Sequence, residues 1–383
     1  MPTQYYLAIG HSTSPYITTY AQDGSLLSST ADPATLPTNT VVGAAWTGDS
    51  DYLALAHSTA PSITVYKRSE AVLTKISNPA VAPNGNGKAV AWTQDGVYLA
   101  VGTQSSPYLN IYKRNGDILT KLTNPSPGPT SQCTGVSWSP DGVYLSASHY
   151  QGDGITVYKR SGDILTKLAT VSPVVPLNAW GYSTSFSPDG NYLNLGMNMA
   201  PYMINYKRTG DTFNGYSSQP SGGNTPSATV VSSSWSPDNN FLSVAFGSNP
   251  YQKTYVRSGD TLSPLGTPSG GNPPSTGRGI SWSIDSTYLA VAHSGTPYVT
   301  IYERSSNTLT KIAGPTTLPP NTGYSAAYSG YANLAPTEPT LVAPADLAQV
   351  PTADPVLYDW DFNDPDPSDT QTEFALVRRK VQT

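Results

Sequence analysis

The chain has 383 residues, of which 12% are charged, with a formal net charge of −5, 33 Gly, 35 Pro, 26 Tyr and the single cysteine Cys133. This excludes an internal disulfide framework and a broadly basic nucleic-acid surface, and the regular apolar alternation excludes a disordered chain. No apolar run reaches the roughly 20 residues of a membrane span, and the opening Met1-Pro2-Thr3-Gln4-Tyr5-Tyr6-Leu7 has neither the basic nor the apolar region of a signal peptide, so the chain is expected to be soluble and made in the cytoplasm.

In chain order, residues 6–10, 16–20 and 25–28 read as three strands separated by turns. An aromatic anchor then recurs at Trp46, Trp92, Trp138, Phe186, Trp235, Trp282 and Tyr328, in steps of 46, 46, 48, 49, 47 and 46 residues. The unit is clearest at residues 134–168. An inner strand ends in Trp138-Ser139, and the turn Pro140-Asp141-Gly142 follows, with Pro presetting φ, Asp bonding its own backbone and Gly accepting positive φ. A second strand begins at Tyr144, a β-branched third strand runs from Ile155 through Tyr158-Lys159-Arg160, and a hairpin at Ser161-Gly162-Asp163 leads to a fourth strand from Ile164. Four short strands per unit at this period predict β-propeller blades. Six units are complete. Residues 323–329 supply a first strand with nothing after it, and residues 5–30 supply the other three. Joined, they predict a seventh blade closed by both ends of the domain, which leaves no open sheet edge. The expected fold is all-β: a seven-bladed propeller over 1–330, a Pro-rich linker over 331–344 and a partial β-sandwich segment over 345–383.

The W-S-P-D-G-x-Y-L-A signature resembles WD40-type and WD40-like propellers over residues 5–330, although the usual Gly-His and Trp-Asp dipeptides are missing. The wording A-H-S-x-x-P-Y-[IV]-T-[IV]-Y-[KE]-R-S, as at residues 292–305, is similar to propeller repeats of bacteriophage virion and tail proteins. The pattern L-V-A-P … W-D-F-x-D-P-D-P-x-D-T-Q-T near the C-terminus is similar to the opening strands of fibronectin type III-like domains, though fewer residues remain than the roughly 100 such a sandwich needs. The acidic cluster of that segment reads as a Pro-broken turn in preference to a calcium site.

Propeller strand order puts the near-uniform S-P-D-G and R-S-G-D turns on one face and the varied loops on the other, where binding usually resides. All four histidines, His11, His57, His149 and His293, fall at one repeat position, occupied elsewhere by Thr103, Met197 and Phe246. They read most simply as a structural slot, and equivalent positions on neighbouring blades are too far apart to share a metal. Tyr16, Tyr108, Tyr202, Tyr251 and Tyr298 follow Pro in the same loops; each can stack on a ligand or pack against the next blade. Asp153 is one of the few acids in those loops. These ten residues form the candidate binding face. Fourteen of the 20 Lys and Arg recur in the Y-K-R and L-T-K slots and read as a solvated outer rim. No G-x-S-x-G elbow, H-E-x-x-H or phosphate loop is present, so no catalytic residue, metal or cofactor is assigned.

The resemblance implies a non-enzymatic virion module of a phage tail or appendage, located in the particle and oligomeric within it. Its partners would be neighbouring virion proteins or a bacterial surface polysaccharide, with no nucleic acid and no membrane insertion. The rival expectations are a polysaccharide-degrading propeller enzyme of a phage tail and a cytoplasmic WD40-like interaction scaffold.

Overall fold

The structure, a computed structural model, describes residues 5–330 apart from 170, 173–174, 176–177 and 216–224. The linker at 331–344 and the fibronectin-like segment at 345–383 lie outside the described residues.

Among the described residues there are seven antiparallel sheets of four strands each, and no helix. Blade 1 is the composite one: its inner strand Gly323–Tyr328 pairs with Tyr5–His11, followed by Ile17–Asp23 and Leu26–Ser29. The closure is sealed by Tyr6 N donating to Ser329 Oγ at 2.9 Å and by the Tyr328 hydroxyl donating to the buried Gln22 Oε1 at 2.7 Å. Blades 2 to 7 begin at the inner strands Val41–Trp46, Gly87–Trp92, Cys133–Trp138, Gly181–Phe186, Val230–Trp235 and Gly277–Trp282. The seven-bladed all-β propeller therefore stands as expected.

Three repeated devices explain why one sequence pattern gives one blade. First, the turn after each inner strand uses its acid for the backbone. In blade 4, Ser139 Oγ donates to Asp141, Val143 N donates to Asp141 Oδ1 at 3.0 Å, and Tyr144 N donates to Ser139 Oγ at 2.8 Å. Second, the third strand buries a tyrosine whose hydroxyl reaches back to a carbonyl of the loop entering its own blade, as Tyr66 does to Thr35 O at 2.7 Å and Tyr112 to Val81 O at 3.0 Å. Such rings are fully buried with the phenol satisfied, which accounts for much of the tyrosine content.

Third, each seam between blades holds one side chain, on one side or the other. Where the inner strand starts with Val41, Cys133 or Val230, the second strand of the preceding blade offers Gly10, Gly102 or Gly196 beneath it. Where the inner strand starts with Gly87, Gly181, Gly277 or Gly323, the preceding blade offers Ala56, Ser148, Ala245 or Ala292. A Cβ added at Gly277 would overlap the carbonyl oxygen of Tyr251, so glycine there is a close-approach requirement. Cys133 is one of these seam side chains; it is fully buried and its thiol is pushed up to about 12, which makes it inert.

The outer rim is more than a solvated edge. At four consecutive seams a second-strand tyrosine, a third-strand lysine and an aspartate of the next blade meet. The pairs Lys67–Asp117, Lys113–Asp163, Lys159–Asp211 and Lys207–Asp260 lie at 3.2, 3.0, 2.8 and 2.7 Å. Tyr52, Tyr98 and Tyr144 donate to the same aspartates at 2.5, 2.6 and 2.5 Å. The next blade's arginine caps each ring, with Arg114 at 4.1 Å from Tyr52 and Arg160 at 4.4 Å from Tyr98. The three seams that touch the composite blade or its neighbour blade 7 lack this latch, because Ala21, Ala71, Val256, Ser25 and Asn307 stand in its lysine and aspartate slots.

Candidate functional site at the channel mouth

The inner strands of all seven blades surround a central channel, and alternation turns the second and fourth residue of each strand toward it. The fourth positions are small or apolar: Ala44, Val90, Val136, Thr184, Ser233, Ile280 and Ala326. The second positions, at the end nearest the varied loops, form a ring of different character: Val42, Lys88, Thr134, Tyr182, Val231, Arg278 and Tyr324. Together with the third and fourth positions they line a water-accessible space of about 210 Å³. The opposite end is ringed by the repeat aromatics, including Trp46, Trp92 and Trp282, with Gly48 and Gly330.

Two features give this mouth chemical potential. It carries two cations, Lys88 on blade 3 and Arg278 on blade 7, and among the described residues neither has an ion pair. Arg278 is exposed and lies over the Tyr324 ring at 5.1 Å, which restrains the guanidinium without neutralising it. The ring also holds two phenols, Tyr324 and Tyr182, the latter hydrogen-bonded to Tyr150, while Thr134 spends its hydroxyl on Gly181 O at 2.7 Å. Among the described residues no carboxylate or imidazole lines the mouth. The site is therefore built to attract negative charge and to stabilise it where it develops.

The ten residues expected from sequence are not brought together there. His11, His57, His149 and His293 are buried at 0–1% exposure. Each Nε2 is hydrogen-bonded to a threonine hydroxyl across its hairpin, that of Thr18, Thr64 or Thr156 at 3.0 Å or of Thr300 at 2.9 Å. In three of them Nδ1–H donates to a carbonyl two residues on, that of Thr13, Thr59 or Gln151. Burial lowers all four imidazole pKa values, to about 4 for His293. Thr103 with Asn110 at 3.3 Å makes the same clasp in blade 3. Tyr16, Tyr108, Tyr202, Tyr251 and Tyr298 all have positive φ, from 60° to 70°, as do Ser62 and Gly154 at the same repeat position. Their carbonyls accept from the residue that closes the second strand, as Tyr16 O does from His11 N at 2.9 Å. Tyr16, Tyr108 and Tyr202 also pack on the cores between blades. Asp153 is half-buried in the loop beside His149. Among the described residues no group of three or more His, Cys, Asp or Glu stands together.

The mouth residues escaped sequence reading because they lie one per blade, 46 to 49 residues apart, in strands whose alternation looks ordinary. A signal was present, however. Lys88 and Arg278 are basic residues outside the Y-K-R and L-T-K slots, and both occupy the same position of the repeat.

No protein-family profile matches the sequence, and no curated protein matches it. Solved structures do. A protein of Bacteroides uniformis provisionally assigned as a 6-phosphogluconolactonase superposes with a TM-score of 0.68 at 14% identity, over 85% of this chain and 99% of that one. The periplasmic gluconolactonase PpgL of Pseudomonas aeruginosa gives 0.65 at 16% identity, over 86% of this chain and 100% of that one. A protein of Lactobacillus plantarum gives 0.66 at 17% identity, over 85% and 99%. At these identities the likeness establishes the propeller fold. It also overturns the expectation of a non-enzymatic phage module, and with it the expectation that the chain is no enzyme: two of these three propellers, matched along nearly their whole length, carry the names of lactone hydrolases.

Proposed function

We propose that the chain is a hydrolase of lactonase type that takes an anionic sugar lactone at the channel mouth. The observation that carries this is the presence of two cations without an ion pair among the described residues, Lys88 and Arg278, in the ring of second-position residues at the channel mouth. The names of the similar propellers support it independently. In the reaction a water oxygen bonds to the lactone carbonyl carbon, the ring C–O bond breaks, the released ring oxygen takes a proton to become a hydroxyl, and the product is a carboxylate. Negative charge builds on the carbonyl oxygen during attack and remains on the carboxylate afterwards. A positioned guanidinium and ammonium favour both, and loss of one such donor costs on the order of 10²–10³ in rate.

Among the described residues no carboxylate or imidazole lines the mouth, and in this reading the attacking water passes its proton to solvent, with a catalysed rate that climbs with hydroxide concentration through neutral pH. The test is the initial rate of ring opening of glucono-δ-lactone and its 6-phosphate by the full chain, followed by acid release and corrected for spontaneous hydrolysis. The reading expects catalysis of both with preference for the phosphorylated substrate. Rates equal to the spontaneous ones for both would refute it.

A further inference from the structure

Beside the cationic ring, where blades 4 and 5 meet, three aromatic side chains cluster, two of them at positions where no other blade has an aromatic residue. The position just before the inner strand is Thr40, Asn86, Gln132, Thr229, Thr276 or Thr322 in six blades and Trp180 in blade 5. The position just after the hairpin-end slot is Ser12, Ser58, Gln104, Asn198, Gly247 or Ser294 in six blades and Tyr150 in blade 4. Tyr182 is a member of the mouth ring itself. The Trp180 and Tyr150 rings stack at 4.9 Å and 16°, and Tyr182 tilts against Tyr150 at 5.0 Å. Trp180 is nevertheless 41% exposed, and its backbone is held by donation from its N–H to Asn198 Oδ1 at 2.7 Å.

The fold does not require this cluster, since the other blades fill the same two positions with glycine or uncharged polar residues. The stack fixes the plane of an exposed indole in advance, so a ligand laid on it does not bear the cost of ordering the side chain. We infer that Trp180, Tyr150 and Tyr182 form a stacking platform for a pyranose ring, holding the sugar body of a ligand whose acidic group is taken by Lys88 and Arg278. A pyranose offers an apolar C–H face to the indole while its hydroxyl edge stays available to water and polar groups. One face of Trp180 is already occupied by Tyr150, so the platform is one-sided and suits a ring that needs only one apolar contact. The acidic end of this assignment rests on the proposed function; the sugar end does not.

The test is saturation-transfer NMR on the full chain with methyl β-D-glucopyranoside, D-glucuronate and adenosine as probes, on wild type, Trp180→Ala, Trp180→Phe and the double variant Lys88→Ala/Arg278→Ala. The expected result is transfer to the ring C–H protons of both sugars. Trp180→Ala should weaken both by about five- to tenfold, the scale of one lost aromatic contact, and Trp180→Phe should retain most of the signal. The double variant should weaken glucuronate alone. Absence of transfer to either sugar, an undiminished signal in Trp180→Ala, or adenosine displacing both sugars would each overturn the platform. If the sugars bind through Trp180 while no lactone is hydrolysed, the platform stands and the hydrolase reading falls.

Discussion

Lysine and arginine occur at both the outer rim and the channel mouth, and the two regions treat them in opposite ways. At the rim, Lys67, Lys113, Lys159 and Lys207 each meet an aspartate of the next blade, and the arginines are laid over tyrosine rings. At the mouth, Lys88 and Arg278 meet no carboxylate among the described residues. The rim charges recur with the blade period and are neutralised in place, so they serve the architecture. The mouth charges stand on only two of the seven blades and meet no carboxylate among the described residues, so their field is available to a ligand. In a repeat protein, position within the period separates these roles better than residue type does.

The sharpest way to break this contrast is to remove one mouth charge and one rim charge and compare turnover. Arg278→Ala should lower the lactonase rate by about 10²-fold with an unchanged melting temperature, whereas Asp163→Asn should leave the rate unaltered. Equal losses in the two variants, read from initial rates, would erase the distinction between rim and mouth.

Stability should respond to the buried clasps more than to the rim. The four histidines are held neutral by burial, while in the unfolded chain they titrate near 6.5. Below that pH the unfolded chain binds more protons, so the stability they contribute is complete above about 6.5 and is lost as pH falls toward the folded value, about 4 for His293. For His293 alone this interval corresponds to roughly 3 kcal/mol. Thermal melts from pH 7 down to 4.5 should fall steeply. The variant His293→Thr/Thr300→Asn, which copies the Thr103–Asn110 clasp of blade 3, should flatten the slope; a slope identical to wild type would remove His293 from the explanation.

A smaller effect is expected from Tyr66→Phe, which strips a buried hydroxyl from the Thr35 carbonyl and should cost about 1 kcal/mol by denaturant melts. Smallest of all is Lys113→Ala. Its exposed pair with Asp163 is screened by water and salt, and the melting temperature should not move measurably. A Lys113 effect exceeding that of Tyr66 would mean that the rim latches carry more of the fold than their exposure allows.

Much of the fold could be read from the sequence because each local choice agreed with the blade: the Trp138 anchor, the Pro140-Asp141-Gly142 turn and the split blade at 5–30 and 323–329 all pointed to one architecture. The seam rule, with Gly10 under Val41 and Gly87 beside Ala56, was equally present but lies between residues 31 apart, where strand-by-strand reading does not look. The site was far less legible. The reading along each loop found His57 and Tyr108 because loops are where variation is easy to see, yet the His57 side chain clasps its hairpin end and Tyr108 closes its own through the backbone while its ring packs on the core. Lys88, Tyr182, Arg278 and Tyr324 become a group only when seven strands are arranged in a circle. Trp180 and Tyr150 become neighbours only across a blade boundary.

The most direct measurement of the central claim is titration of the full chain with 6-phosphogluconate, the ring-opened acid, by calorimetry, comparing wild type with Lys88→Ala/Arg278→Ala. The account predicts stoichiometric binding to wild type that weakens with added salt, and no detectable heat for the double variant despite an unchanged melting temperature. Equal affinity in the two proteins would place the site elsewhere on the propeller and contradict the account.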